Sequence, residues 1–173
     1  MPAHHRVTGF SFELAYAALL AVTGVAGIVL TVRRATRGRG RERGARPDRI
    51  AIAVFLTAWL AGLLFMTMRP SAGKGTLLNL VPLSFQGPGA VVDAVLNVGV
   101  FVPLGLLLVA AGMRFPVTLL IGLLLSVGIE LSQYLAQLGR TADVNDLLTN
   151  TTGTVLGWAL GAAIVHIRRR VDS

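Results

Sequence analysis

Five polar side chains interrupt or border two apolar stretches in the C-terminal half of the chain, where they could bind a ligand or transfer a proton. The first stretch covers residues 115–138, and the second follows it. An ionisable group inside a membrane helix is costly to expose to lipid, so it normally faces the protein interior or a water-filled cavity. If both stretches span a bilayer, the five residues therefore mark a functional site. They are Glu130, Gln133, Asp143, Asp146 and Asn150.

Glu130 has the type of side chain that general acid–base chemistry requires, and it is the candidate catalytic residue. The neighbouring amides and carboxylates could orient Glu130 or hold a polar ligand. Asp143 and Asp146 are weak candidates for ligands of a divalent metal ion, and we predict no bound cofactor.

The same residues also have a structural interpretation. Asp143 and Asp146 could favour the positive end of a helix, which contributes roughly 0.3–1 kcal/mol each. Asn97 and Asn150 could form interhelical hydrogen bonds, which average about 0.6 kcal/mol. Buried charge is a poor source of stability, because apolar replacement often stabilises a protein as well. We therefore favour a functional role for the set as a whole.

Helical spacing places the polar residues of each stretch on one face. At about 100° per residue, four polar residues of the first stretch fall within an arc of roughly 60°. These four are Ser126, Glu130, Gln133 and Gln137.

In the second stretch, the two aspartates and Asn150 share a face with Gly153 and Gly157, and Gly161 continues the ridge. Small residues at this spacing let helix backbones approach closely in lipid. We expect this face to pack on the two preceding helices. A turn near Arg140 would place Glu130 at the same depth as Asn150.

The composition predicts a helical membrane protein. The chain has 173 residues, of which 54% are hydrophobic and 14% charged, and its mean hydropathy is +0.70. A bilayer core about 30 Å thick requires about 20 apolar residues per helix. We predict an all-α, polytopic membrane helical bundle of about five transmembrane helices. The five predicted spans are 10–32, 50–68, 95–112, 115–137 and 147–167.

The chain divides by composition into three parts. Residues 1–49 hold the first transmembrane helix and an arginine-rich cytoplasmic loop, residues 50–167 form the main bundle, and residues 168–173 are a basic cytoplasmic tail. Glycine and self-repelling charge predict disorder in the loop at residues 33–49. The chain has no cysteine, which excludes disulfides, thiolate metal sites and cysteine nucleophiles.

The net charge of +8 is distributed in a way that predicts topology. Eight arginines lie within residues 33–49, and three more lie at residues 168–170. If the first group is cytoplasmic and the spans alternate, twelve basic residues lie inside and four outside, as the positive-inside rule requires. We expect a multi-pass protein of the cell membrane with its N-terminus out and its C-terminus in. Because no aromatic residue interleaves with the arginines, we expect membrane lipids and no nucleic acid as partners.

Four motifs in order resemble the VanZ-like family. They are NLVPL (79–83), N-x3-F-x-P-L-G (97–105), S-x3-E-x2-Q (126–133) and G-R-x2-D-x2-D-x3-N-x2-G (139–153). The series is similar to the family over about residues 66–161. The family takes its name from a membrane protein associated with resistance to the glycopeptide teicoplanin.

The resemblance implies that the signature positions bind the ligand. These positions are Asn79, Pro82, Asn97, Glu130, Gln133, Arg140, Asp143, Asp146 and Asn150. The chain departs from the family at two positions. Its first motif ends in Leu83, where members usually have Phe, and Asn145 stands where members often have Asp. The second departure removes an acidic group and weakens the prediction of a divalent metal ion.

Three functions are compatible with these features. The first is a cell-envelope protein that binds a polar or lipid-linked ligand, such as a cell-wall intermediate or a glycopeptide, in an outward-facing pocket and contributes to teicoplanin-type resistance. The second is an intramembrane enzyme that acts on an outer-leaflet lipid headgroup with Glu130 as acid or base. The third is a small transporter. We rank them in this order because no strong nucleophile accompanies Glu130 and the inner halves of the spans are almost wholly apolar.

Overall fold

Five helices make up most of the part of the chain that the structure describes, which confirms the predicted all-α bundle. The computed structural model describes residues 3–37, 45–69, 78–83, 89–136 and 142–171, and it describes 3–11 and 45 by their backbone alone. The elements in chain order are α1 (Ala3–Thr36), α2 (Ala45–Thr67), β1 (Leu78–Asn79), α3 (Ala90–Ala111), α4 (Phe115–Leu135), β2 (Ala142–Asp143) and α5 (Val144–Val171).

Four of the described helices are both long enough and apolar enough to cross a membrane. These segments are Phe12–Thr36 of α1, Arg46–Thr67 of α2, and the whole of α3 and α4. α5 has 28 residues and is therefore about 42 Å long, but it is not among the helices apolar enough. Its polar residues Asn150 and Thr154 are buried against α4, and Asn145 is buried against residues 81–83. The chain is thus a membrane protein whose fifth helix directs its polar residues into the bundle.

Small residues bring α3 and α5 into close contact. A Cβ atom added at Gly153 or Gly157 of α5 would collide with the backbone carbonyl oxygen of Val98 or Val102 on α3. Gly161 continues this contact one turn further along α5, against the Val109 side chain. The predicted glycine ridge therefore packs on α3, as expected. On the α4 side, Thr154 of α5 fits against Gly122.

Aromatic and aliphatic side chains fill the space between α2, α3 and α4. The ring of Trp59 packs edge-on against Phe101, with 5.5 Å between the centroids, and both side chains are buried. The indole Nε1 of Trp59 donates to the Val100 carbonyl oxygen at 2.9 Å, so its polar atom is satisfied. Ile129 brings α4 into this cluster. The core therefore fixes the face of α4 that carries the polar residues.

The arginine-rich segment is more ordered than its composition predicts. α1 continues to Thr36 and α2 begins at Ala45, so the predicted disorder is wrong for residues 33–37 and 45–49. Arg37 donates to the buried carboxylate of Asp48, and Arg33 Nη1 lies 3.5 Å from Asp48 Oδ1. Asp48 thus offsets the repulsion between arginines on which the prediction rested. Residues 38–44 lie outside the described part of the chain.

Candidate functional site

Two short strands join the NLVPL motif to the start of α5. β1 and β2 pair in parallel, with Leu78 opposite Ala142 and Asn79 opposite Asp143. The side-chain Nδ2 of Asn79 also donates to Asp143 Oδ2 at 3.1 Å. Because β2 leads directly into α5, this pairing sets the position of residues 78–83 against the first turn of that helix.

Asn145 fastens the same segment to α5. Its Oδ1 accepts the Leu83 backbone N–H at 2.6 Å, and its Nδ2 donates to the Val81 carbonyl oxygen at 3.2 Å and to Asp143 Oδ1 at 2.8 Å. Leu83 has φ 59, a left-handed conformation that non-glycine residues rarely adopt. The Asn145 side chain is buried, so these bonds have little competition from water. Asn145 therefore determines the conformation of residues 81–83.

Glu130 contacts the strand that precedes α5. The backbone N–H of Asp143 donates to Glu130 Oε2 at 2.9 Å. Asp143 Oδ1 accepts the Asn145 backbone N–H at 2.8 Å in addition to the Asn145 side chain. Through these bonds, Glu130 and Asp143 link α4, β2 and α5.

Glu130 and Asp143 are among the residues that line an open pocket of about 420 Å³ between α4, the two strands and the start of α5. This volume lies within the range of about 300–1,000 Å³ that small-ligand sites occupy. Apart from Glu130, Asp143 and Tyr134, the described lining residues are aliphatic: Leu78, Leu80, Val127, Leu131, Ala142, Val144 and Leu147.

The pocket opens on the exposed side of α4. Val127, Leu131 and Tyr134 of α4 line it and are exposed. Because α4 is a membrane-spanning segment, these exposed side chains face lipid. An amphipathic molecule could therefore enter the pocket sideways, with its apolar part on the aliphatic wall and its polar part at the carboxylates.

The other predicted site residues form separate contacts and do not line this pocket. Asn97 Nδ2 donates to Asp146 Oδ1 at 2.7 Å, which joins α3 to the first turn of α5. Asn150 Nδ2 donates to Ser126 Oγ at 3.0 Å inside the bundle. Gln133 is buried and its Nε2 donates to the Thr67 carbonyl oxygen at 2.9 Å, towards α2.

These contacts correct the depth that the sequence predicts for Glu130. Asn150 lies level with Ser126, whereas Glu130 lies level with Asp143. The expected match of Glu130 with Asn150 is therefore wrong by about one helical turn. The reason is that β2 carries the chain back to the level of Glu130 before α5 begins.

Of three remaining predicted positions, the structure describes only Pro82. Pro82 is exposed in the turn that ends the NLVPL motif and does not line the pocket. Arg140 and Gln137 lie outside the described residues.

The two aspartates named as weak metal candidates have different partners. Asp143 is bound by Asn79 and Asn145, whereas Asp146 is bound by Asn97. Among the residues with described side chains, no group of three or more His, Cys, Asp or Glu side chains is placed to hold a metal ion.

Sequence reasoning missed most of the pocket lining. Val127, Glu130, Leu131 and Tyr134 recur at i, i+3, i+4 and i+7, so they share one face of α4. This spacing was visible in the sequence, but aliphatic residues that line a pocket have the same composition as residues that face lipid.

A model of the VanZ/LLP1 family matches residues 52–165, more than half of the chain, and this region contains the whole pocket. No curated protein and no solved structure matches the sequence.

Proposed function

The chain is a membrane protein of the VanZ/LLP1 family, and we propose that it binds an amphipathic lipid or lipid-linked ligand in the pocket between α4, β1, β2 and α5. The observation that carries this proposal is the composition of the pocket wall. Seven of the ten described lining residues are aliphatic, and Glu130 and Asp143 are two of the other three. A soluble polar ligand would leave the aliphatic wall unused, whereas a lipid tail packs against it through dispersion contacts.

The position of the pocket favours a ligand that arrives from the membrane. Its exposed residues on α4 belong to a spanning helix, so a lipid can reach the wall without leaving the bilayer. The arginines lie at the C-terminal end of α1 and the N-terminal end of α2, which is the end of the bundle away from the pocket. By the positive-inside rule, this distribution favours an outward-facing pocket. The ligand would then be an outer-leaflet lipid or a lipid-linked cell-wall intermediate in the cell membrane.

The substitution Leu131→Trp tests the proposal. Leu131 lines the pocket and is exposed, so a larger side chain occupies the pocket without entering the core. We expect lipid affinity to fall about tenfold, which corresponds to about 1.4 kcal/mol, because the indole fills space in which the lipid tail packs. The measurement is native mass spectrometry of the purified protein titrated with phosphatidylethanolamine.

Leu124→Trp is the matched control. Leu124 is exposed on the same helix and does not line the pocket. We expect this variant to bind lipid as the wild type does. Equal binding by the wild type and Leu131→Trp would overturn the proposal.

The family resemblance extends the proposal to drug susceptibility. A protein that holds a lipid-linked cell-wall intermediate changes the access of glycopeptides to it. We expect expression in a glycopeptide-sensitive bacterium to lower teicoplanin susceptibility, and Leu131→Trp at equal membrane abundance to lose the effect. Unchanged susceptibility with the wild type would contradict this part of the proposal without affecting lipid binding.

A second candidate function is an intramembrane enzyme with Glu130 as acid or base. The observation that favours it is that Glu130, whose carboxyl group can transfer a proton, is among the residues that line the pocket. The test is release of headgroup from a native lipid extract by purified protein. Release that is lost in Glu130→Gln would support catalysis, whereas no release by the wild type would exclude it for those lipids.

A further inference from the structure

Residues 78–83 combine a non-helical backbone with exposed aliphatic side chains. The segment contains no charged residue, and its one polar side chain is that of Asn79. A contiguous apolar surface of this kind marks a place where a protein meets a membrane or another protein. Four of its six side chains are aliphatic and between 51% and 73% exposed: Leu78, Leu80, Val81 and Leu83.

The polar backbone groups of this segment have partners within the protein. The Val81 N–H donates to Asn79 Oδ1 at 3.1 Å, and the Leu83 N–H donates to Asn145 Oδ1 at 2.6 Å. Asn145 Nδ2 donates to the Val81 carbonyl oxygen, and Pro82 has no N–H. In lipid, each backbone polar group without a partner is costly. These bonds therefore lower the cost of removing the segment from water.

The contact with α4 sets the depth of the segment in the bundle. Glu130 lies five residues before Leu135, the last residue of α4, or about 7.5 Å along the helix axis. The Asp143 N–H donates to Glu130, and Asn79 pairs with Asp143, so β1 lies at this level. α4 is about 31 Å long, close to the thickness of a hydrocarbon core. β1 therefore lies at the depth of about 5–10 Å to which interfacial apolar segments are buried.

One side of β1 is continuous with the lipid-facing surface of α4. Leu78 and Leu80 line the pocket together with exposed residues of α4, whereas Asn79 and Val81 do not line it. This alternation is that of an extended strand, in which successive side chains point to opposite sides. Leu78 and Leu80 thus extend the apolar surface that α4 presents to lipid, and Val81 points away from it.

We propose that residues 78–83 insert into the leaflet at the pocket end of the bundle as a shallow interfacial turn. Leu78 and Leu80 lie among the acyl chains, and Val81 lies nearer the headgroups, where water-soluble reagents reach it. The acyl layer itself covers the exposed aliphatic side chains. This inference goes beyond the proposed function, because the turn inserts whether or not the pocket binds a ligand.

Spin labels at single cysteines test the insertion, since the natural chain has no cysteine. Leu80→Cys and Val81→Cys are matched variants, because the two positions are adjacent and similarly exposed. The full chain is labelled with a nitroxide and reconstituted in vesicles of palmitoyl-oleoyl phosphatidylcholine. Electron paramagnetic resonance then measures the accessibility of each label to oxygen, which concentrates in acyl chains, and to a water-soluble nickel chelate.

Two further positions calibrate the measurement. Leu124→Cys is the acyl reference on α4, and Val171→Cys is the aqueous reference at the end of α5; both positions are exposed and neither lines the pocket. We expect the ratio of oxygen to nickel accessibility at Leu80→Cys to exceed that at Val171→Cys severalfold and to approach that at Leu124→Cys. The ratio at Val81→Cys should lie between the two references.

Three results would overturn the insertion. A ratio at Leu80→Cys equal to that at Val171→Cys would place the turn in water. Low accessibility to both reagents would show that protein covers the turn, and a higher ratio at Val81→Cys than at Leu80→Cys would contradict the assigned side. The proposed function fails separately: if Leu131→Trp binds lipid as the wild type does while the ratio at Leu80→Cys is high, the turn inserts but the pocket is not the lipid site.

Discussion

At the residue scale, the side chain of Asn145 connects parts of the chain that are far apart in sequence. Its Nδ2 donates to the Val81 carbonyl oxygen across a separation of 64 residues and also to the neighbouring Asp143. The sequence identified Asn145 only as a departure from the family pattern, because a donor to a distant carbonyl leaves no local signature. In this chain the Asn145 amide donates hydrogen bonds to Val81 and Asp143. An ionised aspartate at the same position could not form them, since it has no donor.

We predict that Asn145→Asp destabilises the protein. The change removes both Nδ2 hydrogen bonds and places a second carboxylate beside Asp143, in a buried position. Loss of a buried partner costs about 1–3 kcal/mol, so the melting temperature in detergent should fall by several degrees. The fluorescence of the two tryptophans reports the transition.

Ser132→Ala is the control for this prediction. Ser132 is exposed, and its hydroxyl donates to the Gly128 carbonyl oxygen of its own helix. Exposed substitutions of this kind usually change stability by less than about 0.5 kcal/mol. If Asn145→Asp melts at the same temperature as Ser132→Ala, Asn145 does not fasten residues 81–83.

At the element scale, we predict that Gly157→Ala destabilises the contact between α3 and α5. The added Cβ would collide with the Val102 carbonyl oxygen and lie 3.1 Å from the Gly105 Cα. Backbone atoms on α3 cannot rotate away as a side chain can, so the helices must separate. Overpacking of this kind costs about 1–3 kcal/mol, and thermal unfolding in detergent measures it.

Gly128→Ala supplies the comparison, because a Cβ at Gly128 of α4 would meet nothing within 4 Å. This change should be neutral or stabilising by about 0.4–1 kcal/mol, since alanine restricts the unfolded chain. A Gly157→Ala variant as stable as Gly128→Ala would contradict the close approach of α3 and α5.

The helices and the glycine ridge were predictable because their signals are local. Apolar runs of sufficient length define α1 to α4, and the spacing of Gly153, Gly157 and Gly161 defines a contact face. The pairing of β1 with β2 was not predictable, because each strand has two residues and too little sequence to show a pattern. The pocket depends on this pairing, since Leu78 and Ala142 line it from the two strands.

At the scale of the whole molecule, the lack of cysteine makes the topology directly testable. Val81 is exposed at the pocket end, and Val171 is exposed at the end of α5 beside three arginines. With the N-terminus out and the C-terminus in, a membrane-impermeant maleimide should label Val81→Cys in intact cells. It should label Val171→Cys only after the cells are permeabilised.

The opposite labelling pattern would place the pocket at the cytoplasmic leaflet. It would overturn the outward orientation and the route to glycopeptide susceptibility. It would leave the contacts of the pocket itself unchanged, because those follow from packing within the bundle.

The most direct test of lipid binding in the pocket is photo-crosslinking in native membranes. A photoreactive amino acid replaces Leu131 in the pocket or, as the control, the exposed Leu96 of α3. Leu96 precedes Asn97, which bonds to Asp146 in the first turn of α5, so the two positions lie at similar depth. Mass spectrometry then identifies the lipids attached at each position. We predict that one class of lipid is strongly enriched at Leu131 relative to Leu96. The same lipids at both positions, in the proportions of the bulk membrane, would contradict a specific lipid site in this pocket.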